Sequence, residues 1–366
     1  MNIIKSALNI YFLKKEPISL THFITHRCNA RCKHCFMDFS SEVAVNNELS
    51  LAEIEKFTKK LGGNLFNINL TGGEPFLRGD IFEIVSLYCK NTSVQTVNIA
   101  TNGMFTGAVK ALIDKFRAEK FRQKLMFSIS VDNFQSLHNE NRGIKGLYEN
   151  AIKTYKLVES FGSGQIVPTI AITVTPYNYS NVIDLYTYLK KEGIRSFFAI
   201  LMREEGAIKN IEHKKDVLDA YRRLAALINT DQLQKQTAGM GRDFKASYLK
   251  ARTNLVNGVL PKIYLTKKFI SYCSAGTLFG VIYANGDVFL CEILNNYNFG
   301  NIRDYDMDFR QMWDSNNSQK CREYIKRSRC SCTFECAWSV NIISNIKFIP
   351  QLFFYLWKNL WSQRKK

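Results

Sequence analysis

Cys28, Cys32 and Cys35 form a Cys-x3-Cys-x2-Cys array, and it directly follows an apolar, β-branched stretch (SLTHFITH, 19–26). Three thiolates on one tight loop are one ligand short of tetrahedral zinc or of a four-thiolate iron–sulfur cluster. A [4Fe–4S] cluster held by three cysteines leaves one iron open to a small molecule. A zinc knuckle completed by His26 or His34 is the weaker reading, because structural zinc sites pair two ligand clusters. The chain has ten cysteines, and its first residues, MNIIKSALNIYFLKKEP, show neither an uninterrupted apolar core nor a small-residue cleavage pattern. Metal or redox chemistry in the cytoplasm is therefore expected ahead of disulfides. Cys89 in FEIVSLYCK and Cys321 in KCREYIK lie in helical patterns and read as buried small hydrophobes.

Such a loop needs a scaffold. From Ser19 to Met202 short β-branched runs alternate with longer amphipathic ones, the pattern of strand–helix units around a parallel sheet. Strands are predicted at 19–26, 65–71, 94–100, 124–131, 166–174 and 196–202. Six is two short of a closed eight-stranded barrel. Ser50-Leu51-Ala52-Glu53 is a capping box that opens a helix with Leu51, Ile54, Phe57 and Leu61 on one face. Asp80 opens another, residues 145–161 and 180–192 follow suit, and Gly193 is placed to end the last.

Polar and glycine-containing stretches close these strands, where parallel α/β barrels build their sites. Thr71-Gly72-Gly73-Glu74-Pro75 ends the second strand, Ala100-Thr101-Asn102-Gly103 the third, and Ser128-Ile129-Ser130-Val131-Asp132 the fourth, followed by His138 and Arg142-Gly143. Together with the cysteine loop, this set resembles the radical S-adenosylmethionine (radical SAM) superfamily over residues 18–205. The resemblance implies a partial (β/α)6 TIM-like barrel whose three cysteines hold a [4Fe–4S] cluster, with SAM chelating the fourth iron. It also implies that backbone at Gly72 and Gly73 and the Glu74 side chain hold the SAM ammonium group. Asn102, Ser128, Ser130 and Arg142 would meet the ribose and carboxylate. His138 reads as structural. His34 stands where the family usually has an aromatic residue, and Asn133 replaces the usual glycine after the aspartate. The implied reaction is reductive cleavage of SAM and hydrogen abstraction from a substrate by the 5′-deoxyadenosyl radical, fed by a reducing partner such as flavodoxin or ferredoxin.

Beyond Tyr272 the texture turns to Gly, Asn, Asp and Cys in short elements, a composition that asks for a metal staple. Asn285-Gly286-Asp287 is a hairpin turn between 280–283 and 288–290. Cys273-x12-Gly286-x4-Cys291, then Cys330-Ser-Cys332-x3-Cys336, resembles the SPASM or shorter twitch domain that binds auxiliary iron–sulfur clusters. Two clusters need more ligands than these five cysteines, so one auxiliary [4Fe–4S] cluster is expected on Cys273, Cys291, Cys336 and either Cys330 or Cys332. A structural zinc site on the same thiols is the competing reading.

The expected divisions are an extension at 1–17, the barrel at 18–207, a helical linker at 208–270 broken by Gly-Met-Gly at 239–241, a cysteine-rich domain at 271–341, and a basic amphipathic tail at 342–366. Lys and Arg number 50 against 32 Asp and Glu, a net charge of +18, which attracts anionic partners. A non-catalytic iron–sulfur or zinc protein binding RNA would use that charge, but the Gly72-Gly73-Glu74 motif and the barrel pattern speak against it. The tail carries aromatic residues at helical spacing followed by Arg364, Lys365 and Lys366, which suits either the face of an anionic membrane or a helix packed on the barrel. The substrate is open among peptide, sugar and lipid-linked molecules. With about 18 residues ahead of the first strand, no peptide-binding domain is expected there.

Overall fold

Alternation decides the sheet. β1 (Ser19–Thr25) is buried on both faces, whereas in β2 (Asn67–Gly72), β3 (Thr96–Thr101) and β4 (Lys124–Ser130) buried and half-buried side chains alternate. Ile68, Leu70, Val97, Ile99, Leu125, Phe127 and Ile129 form the buried face. The opposite face of β2 to β4 is polar, with Asn67, Asn69, Asn98 and Ser128 half-buried. A parallel sheet covered on both faces would be apolar throughout, so this polar face marks the inside of an open barrel. Across it Asn98 donates to Asn69 at 3.3 Å and Ser128 Oγ to Asn98 at 2.9 Å.

The computed structural model describes residues 3–37, 47–162, 164–203, 213–233, 244–294 and 296–364. Within them, α1 (Ile3–Leu8) and a π turn (Asn9–Leu13) precede β1. The helices α2 (Leu51–Thr58), α3 (Ile81–Asn91), α4 (Thr106–Ala118), α5 (Gln135–Arg142) and α6 (Leu147–Ser160) then intervene up to β5 (Ile166–Val174), and α7 (Val182–Lys191) leads to β6 (Phe197–Leu201). The capping box at Ser50 and Glu53 is formed. Pairing from β1 to β6 is parallel throughout. Strands β2 and β3 begin two residues later than their apolar runs, because pairing starts where the neighbour starts: Ser19 opposite Asn67 and Asn67 opposite Thr96. Leu65 and Val94 still reach the core from the preceding loops.

Two long helices follow, α8 (Lys214–Leu233) and α9 (Phe244–Thr266); the Gly-Met-Gly at 239–241 lies outside the described residues. Strand β7 (Phe279–Ile282) pairs parallel to β1 on the side away from β2, and β8 (Asp287–Phe289) and β9 (Asn298–Asn301) continue antiparallel. Among the described residues the sheet therefore has nine strands in the order β6-β5-β4-β3-β2-β1-β7-β8-β9. The cysteine-rich segment thus extends the barrel's own sheet. The helices α10 (Phe309–Trp313), α11 (Asn316–Ser328), α12 (Glu335–Ser344) and α13 (Ile349–Arg364) complete the chain. Cys89 and Cys321 are buried in α3 and α11.

Candidate active site

The cysteine loop leaves β1 at its C-terminal end and is held from two sides. Gly73 N donates to Thr25 O at 2.9 Å and Glu74 N to Arg27 O at 2.8 Å. These approaches are possible only for glycine: a Cβ on Gly73 would stand 2.1 Å from Arg27 O and 2.9 Å from Cys28 Cβ, and one on Gly72 would stand 2.3 Å from Thr25 O. On the other side, Arg31 N donates to Arg142 O at 3.0 Å and Lys33 N to Asn141 O at 2.9 Å, tying the loop to the end of α5. Within it, Cys35 N bonds Cys32 O, and the amides of Ala30 and Met37 point at the sulfurs of Cys28 and Cys35, both at 3.4 Å. The three thiols are partly exposed. Burial pushes all three up, Cys28 to about 11, so thiolates here call for a bound cation.

Glu74 is 1% exposed, and its carboxylate accepts three hydrogen bonds from the protein. It accepts from Asn102 N and Thr101 Oγ1, both at 2.7 Å, and from Phe76 N at 3.2 Å. Burial lifts it to about 7 against the pull of these three donors. The carboxylate joins the ends of β2 and β3, and the backbone of the Gly-Gly turn faces the cysteine loop. Asn102 is locked in turn, its side-chain amide donating to Asn29 of that loop at 2.8 Å.

Arg142 lies at the floor of the same loop. Its guanidinium is buried and paired with Asp132 Oδ2, with Nε at 2.9 Å, while Nη1 lies 3.8 Å from Cys32 Sγ. Burial works against both charges, yet each holds the other ionised: Asp132 is lowered and Arg142 raised. Arg142 is thus a fixed positive charge beneath the thiols, already matched by a carboxylate. His138 is structural: its Nδ1 accepts from Asp132 N at 3.2 Å, and burial, helped by Arg142, lowers it to about 3. Ser128 and Ser130 lie on the polar inner face, their registers opposite Thr169 and Ala171 of β5.

At the second site, Cys273, Cys291 and Cys332 stand near enough that Cys332 raises the other two thiols beyond what burial does. Helix α12 arranges them: Asn341 Nδ2 reaches Cys273 Sγ at 3.6 Å, and Trp338 Nε1 donates to Cys332 O at 2.8 Å. Cys336 is half-buried and lies among Glu292, Arg203, Glu335 and Arg252. Cys330 is half-buried at the end of α11. Among the described residues, no three Cys, His, Asp or Glu side chains converge on a single-ion site.

Arg203, just past β6, was not picked out by sequence reasoning. It bonds Glu292 at 2.6 Å and lies 4.4 Å above the Phe36 ring and 4.7 Å above Phe334. Phe36 follows Cys35, Glu292 follows Cys291, and Phe334 sits between Cys332 and Cys336, so one guanidinium links both cysteine sites. Its position at a C-terminal strand end was the available signal.

The family model for the radical SAM superfamily matches residues 23–189, and that for the SPASM iron–sulfur cluster-binding domain matches residues 273–337. The chain belongs to the radical SAM superfamily. The cofactors of this radical SAM protein are accordingly SAM and a [4Fe–4S] cluster, with an auxiliary iron–sulfur cluster in its SPASM domain. The donor sets fit: one loop of three thiols beside a glycine turn that admits no side chain, and a second group of buried and half-buried thiols. Similar proteins include the antilisterial bacteriocin subtilosin biosynthesis protein AlbA of Bacillus subtilis, 27% identical over 62% of this chain and 51% of AlbA. Fe-coproporphyrin III synthase of Methanosarcina barkeri is 21% identical over 88% of this chain and 81% of its own length. The match spans about half of AlbA and 41% of another relative, pre-heme d1 synthase. Among solved structures, native anSMEcpe with bound AdoMet covers 95% of this chain and 98% of its own at 18% identity and a TM-score of 0.59. SuiB of Streptococcus suis bound to S-adenosylmethionine covers 85% and 68% with a TM-score of 0.58. These share the partial-barrel fold.

Proposed function

We propose that the protein is a radical SAM enzyme that abstracts a hydrogen atom from a peptide substrate. The observation that carries the chemistry is the clamping of Cys28, Cys32 and Cys35 between the Gly72-Gly73 turn and the end of α5, at the mouth of a polar barrel. The three cysteines hold the [4Fe–4S] cluster. Bound there, cluster and SAM supply one-electron cleavage of the sulfonium S–C5′ bond and hence a 5′-deoxyadenosyl radical. The protein's own share is positional. The Gly72-Gly73 backbone seats the cysteine loop where a Cβ would block it, and Glu74 fixes that turn against Asn102. Ser128 and Ser130 line the route for the ribose, and the Asp132–Arg142 pair holds the loop floor with balanced charge.

In the SPASM domain Cys273, Cys291, Cys332 and Cys336 are the proposed ligands of one auxiliary [4Fe–4S] cluster. Cys332 takes precedence over Cys330 because it lies beside Cys273 and Cys291. Support for a peptide substrate comes from AlbA, named for subtilosin biosynthesis, and from SuiB, whose structure with precursor peptide SuiA is also similar. The reductant is an acidic carrier of the flavodoxin or ferredoxin type, suited to a chain of net charge +18. The site of action is a peripheral position on an anionic membrane, reached from the cytoplasm.

The test is anaerobic reconstitution with iron and sulfide, then detection of 5′-deoxyadenosine from SAM and dithionite. Iron uptake without 5′-deoxyadenosine, in wild type and with every peptide offered, would refute the reading.

A further inference from the structure

Helix α1 and the π turn after it bury polar residues and expose apolar ones. Ser6 and Asn9 face the protein, Ser6 Oγ donating to Asn64 at 2.9 Å and Asn9 Nδ2 to Glu16 O at 2.8 Å. Ile4 (71% exposed), Leu8 and Phe12 (72%) face out. A helix normally turns its apolar stripe to the core. Helix α13 is apolar on both sides: Leu352, Leu356 and, beside them, Asn359 are buried, whereas Phe353 (63%), Trp357 (61%) and Trp361 are exposed, the two indoles stacked 6.0 Å apart.

Both elements approach one neighbour, α9. Asn359 of α13 donates to Ser247 O of α9 at 3.1 Å, and Tyr11, in the turn after α1, is close enough to Tyr248 to raise its phenol. Both therefore flank the same turn of α9. Charge completes the pattern: residues 1–15 and 336–366 contain eight Lys and Arg and no Asp or Glu. Lys5, Lys15, Lys347 and Lys358 are exposed.

We infer that α1 and α13 together form a docking surface for the headgroup region of an anionic phospholipid bilayer. This rests on the membrane reading above and gives it a place on the molecule. Exposed indoles and phenyl rings beside lysines match the depth at which a bilayer turns from charged to apolar. A second copy of the same face would bring like charges together. No helix among the described residues is long and apolar enough to cross a membrane, so the surface lies on the bilayer.

The experiment uses the full chain with reconstituted clusters and sedimentation against vesicles of equimolar phosphatidylcholine and phosphatidylglycerol, or phosphatidylcholine alone. Binding is expected only with the anionic vesicles, weakened by salt, together with a blue shift in tryptophan emission from Trp357 and Trp361, since Trp313 and Trp338 are buried. Phe12→Ser with Trp357→Ser should lower binding at least ~10-fold. Lys5→Glu with Lys358→Glu, a gentler change for folding, should lower it at least ~5-fold per lysine. Anionic-vesicle binding that persists in both variants would leave a membrane role standing and overturn this surface. Equal binding to neutral vesicles would overturn the anionic surface, and no binding, or a dimer that shields both indoles, would overturn the membrane role itself. Cleavage of SAM without vesicles reports separately on the chemistry.

Discussion

Replacing Gly73 with alanine tests whether the glycine turn builds the cluster loop. The new Cβ would lie 2.1 Å from Arg27 O, where ordinary contact begins at 3.4 Å, so the two backbones must separate by the difference. That separation breaks the Gly73 N to Thr25 O and Glu74 N to Arg27 O bonds, about 1 kcal/mol each. Residual crowding adds about 1–3 kcal/mol, for a total of about 3–5 kcal/mol at the junction. If the loop yields first, the thiols move and the cost appears as lost metal. Gly107→Ala is the control, since nothing lies within 4 Å of its Cβ position and it sits in α4; it should stabilise by about 0.5–1 kcal/mol. Iron and sulfide analysis after anaerobic reconstitution, electron paramagnetic resonance with and without SAM, and thermal melts read both variants. Gly73→Ala should retain about four irons, those of the auxiliary cluster, against about eight in wild type. Full iron content with unchanged SAM affinity in Gly73→Ala would refute the reasoning.

Joint replacement of Cys28, Cys32 and Cys35 by alanine should likewise leave about four irons and abolish SAM cleavage; zinc at either site with no iron uptake would contradict it. Glu74→Ala strands the donors of Thr101, Asn102 and Phe76, at about 1–3 kcal/mol per buried group, so melting temperature and SAM affinity should fall together while both clusters stay. An affinity loss with an unchanged melt would return Glu74 to direct ligand contact. Arg303 bonds Glu53 at 2.6 Å and, with the Ser50 cap, holds its carboxyl down at about 2. Because that value lies below the ordinary one near 4.5, the stabilisation is present above pH 4.5 and lost as pH falls through 2. Arg303→Met should cost about 1 kcal/mol more at neutral pH, after allowance for partial exposure, than below pH 2, where only its bonds to the Asn285 carbonyl and Asn47 are lost; denaturant melts showing the same cost at both would refute this.

Much of this protein is written in short-range pattern. The six parallel strands follow from short β-branched runs between amphipathic ones, the α2 cap from Ser50 and Glu53, and the thiol loop from Cys28, Cys32 and Cys35. Each depends on residues within a few positions of one another, where backbone geometry alone relates spacing to direction. What distant partners decide was not legible. Glu74 turns inward because Asn102 and Thr101, 28 and 27 positions on, offer donors in a dry site. Arg142 is claimed by Asp132 and by a loop 110 positions back. Strand β7 joins β1 across some 260 residues because β1 would otherwise leave an unpaired edge. Arg203 joins two cysteine groups that lie far apart in the chain. The outward face of α1 is the plainest case. Its composition shows only an apolar helix with a lysine, and which side meets the protein is settled by Asn64 and the Glu16 carbonyl, polar partners that draw Ser6 and Asn9 inward and leave Ile4 and Phe12 in solvent.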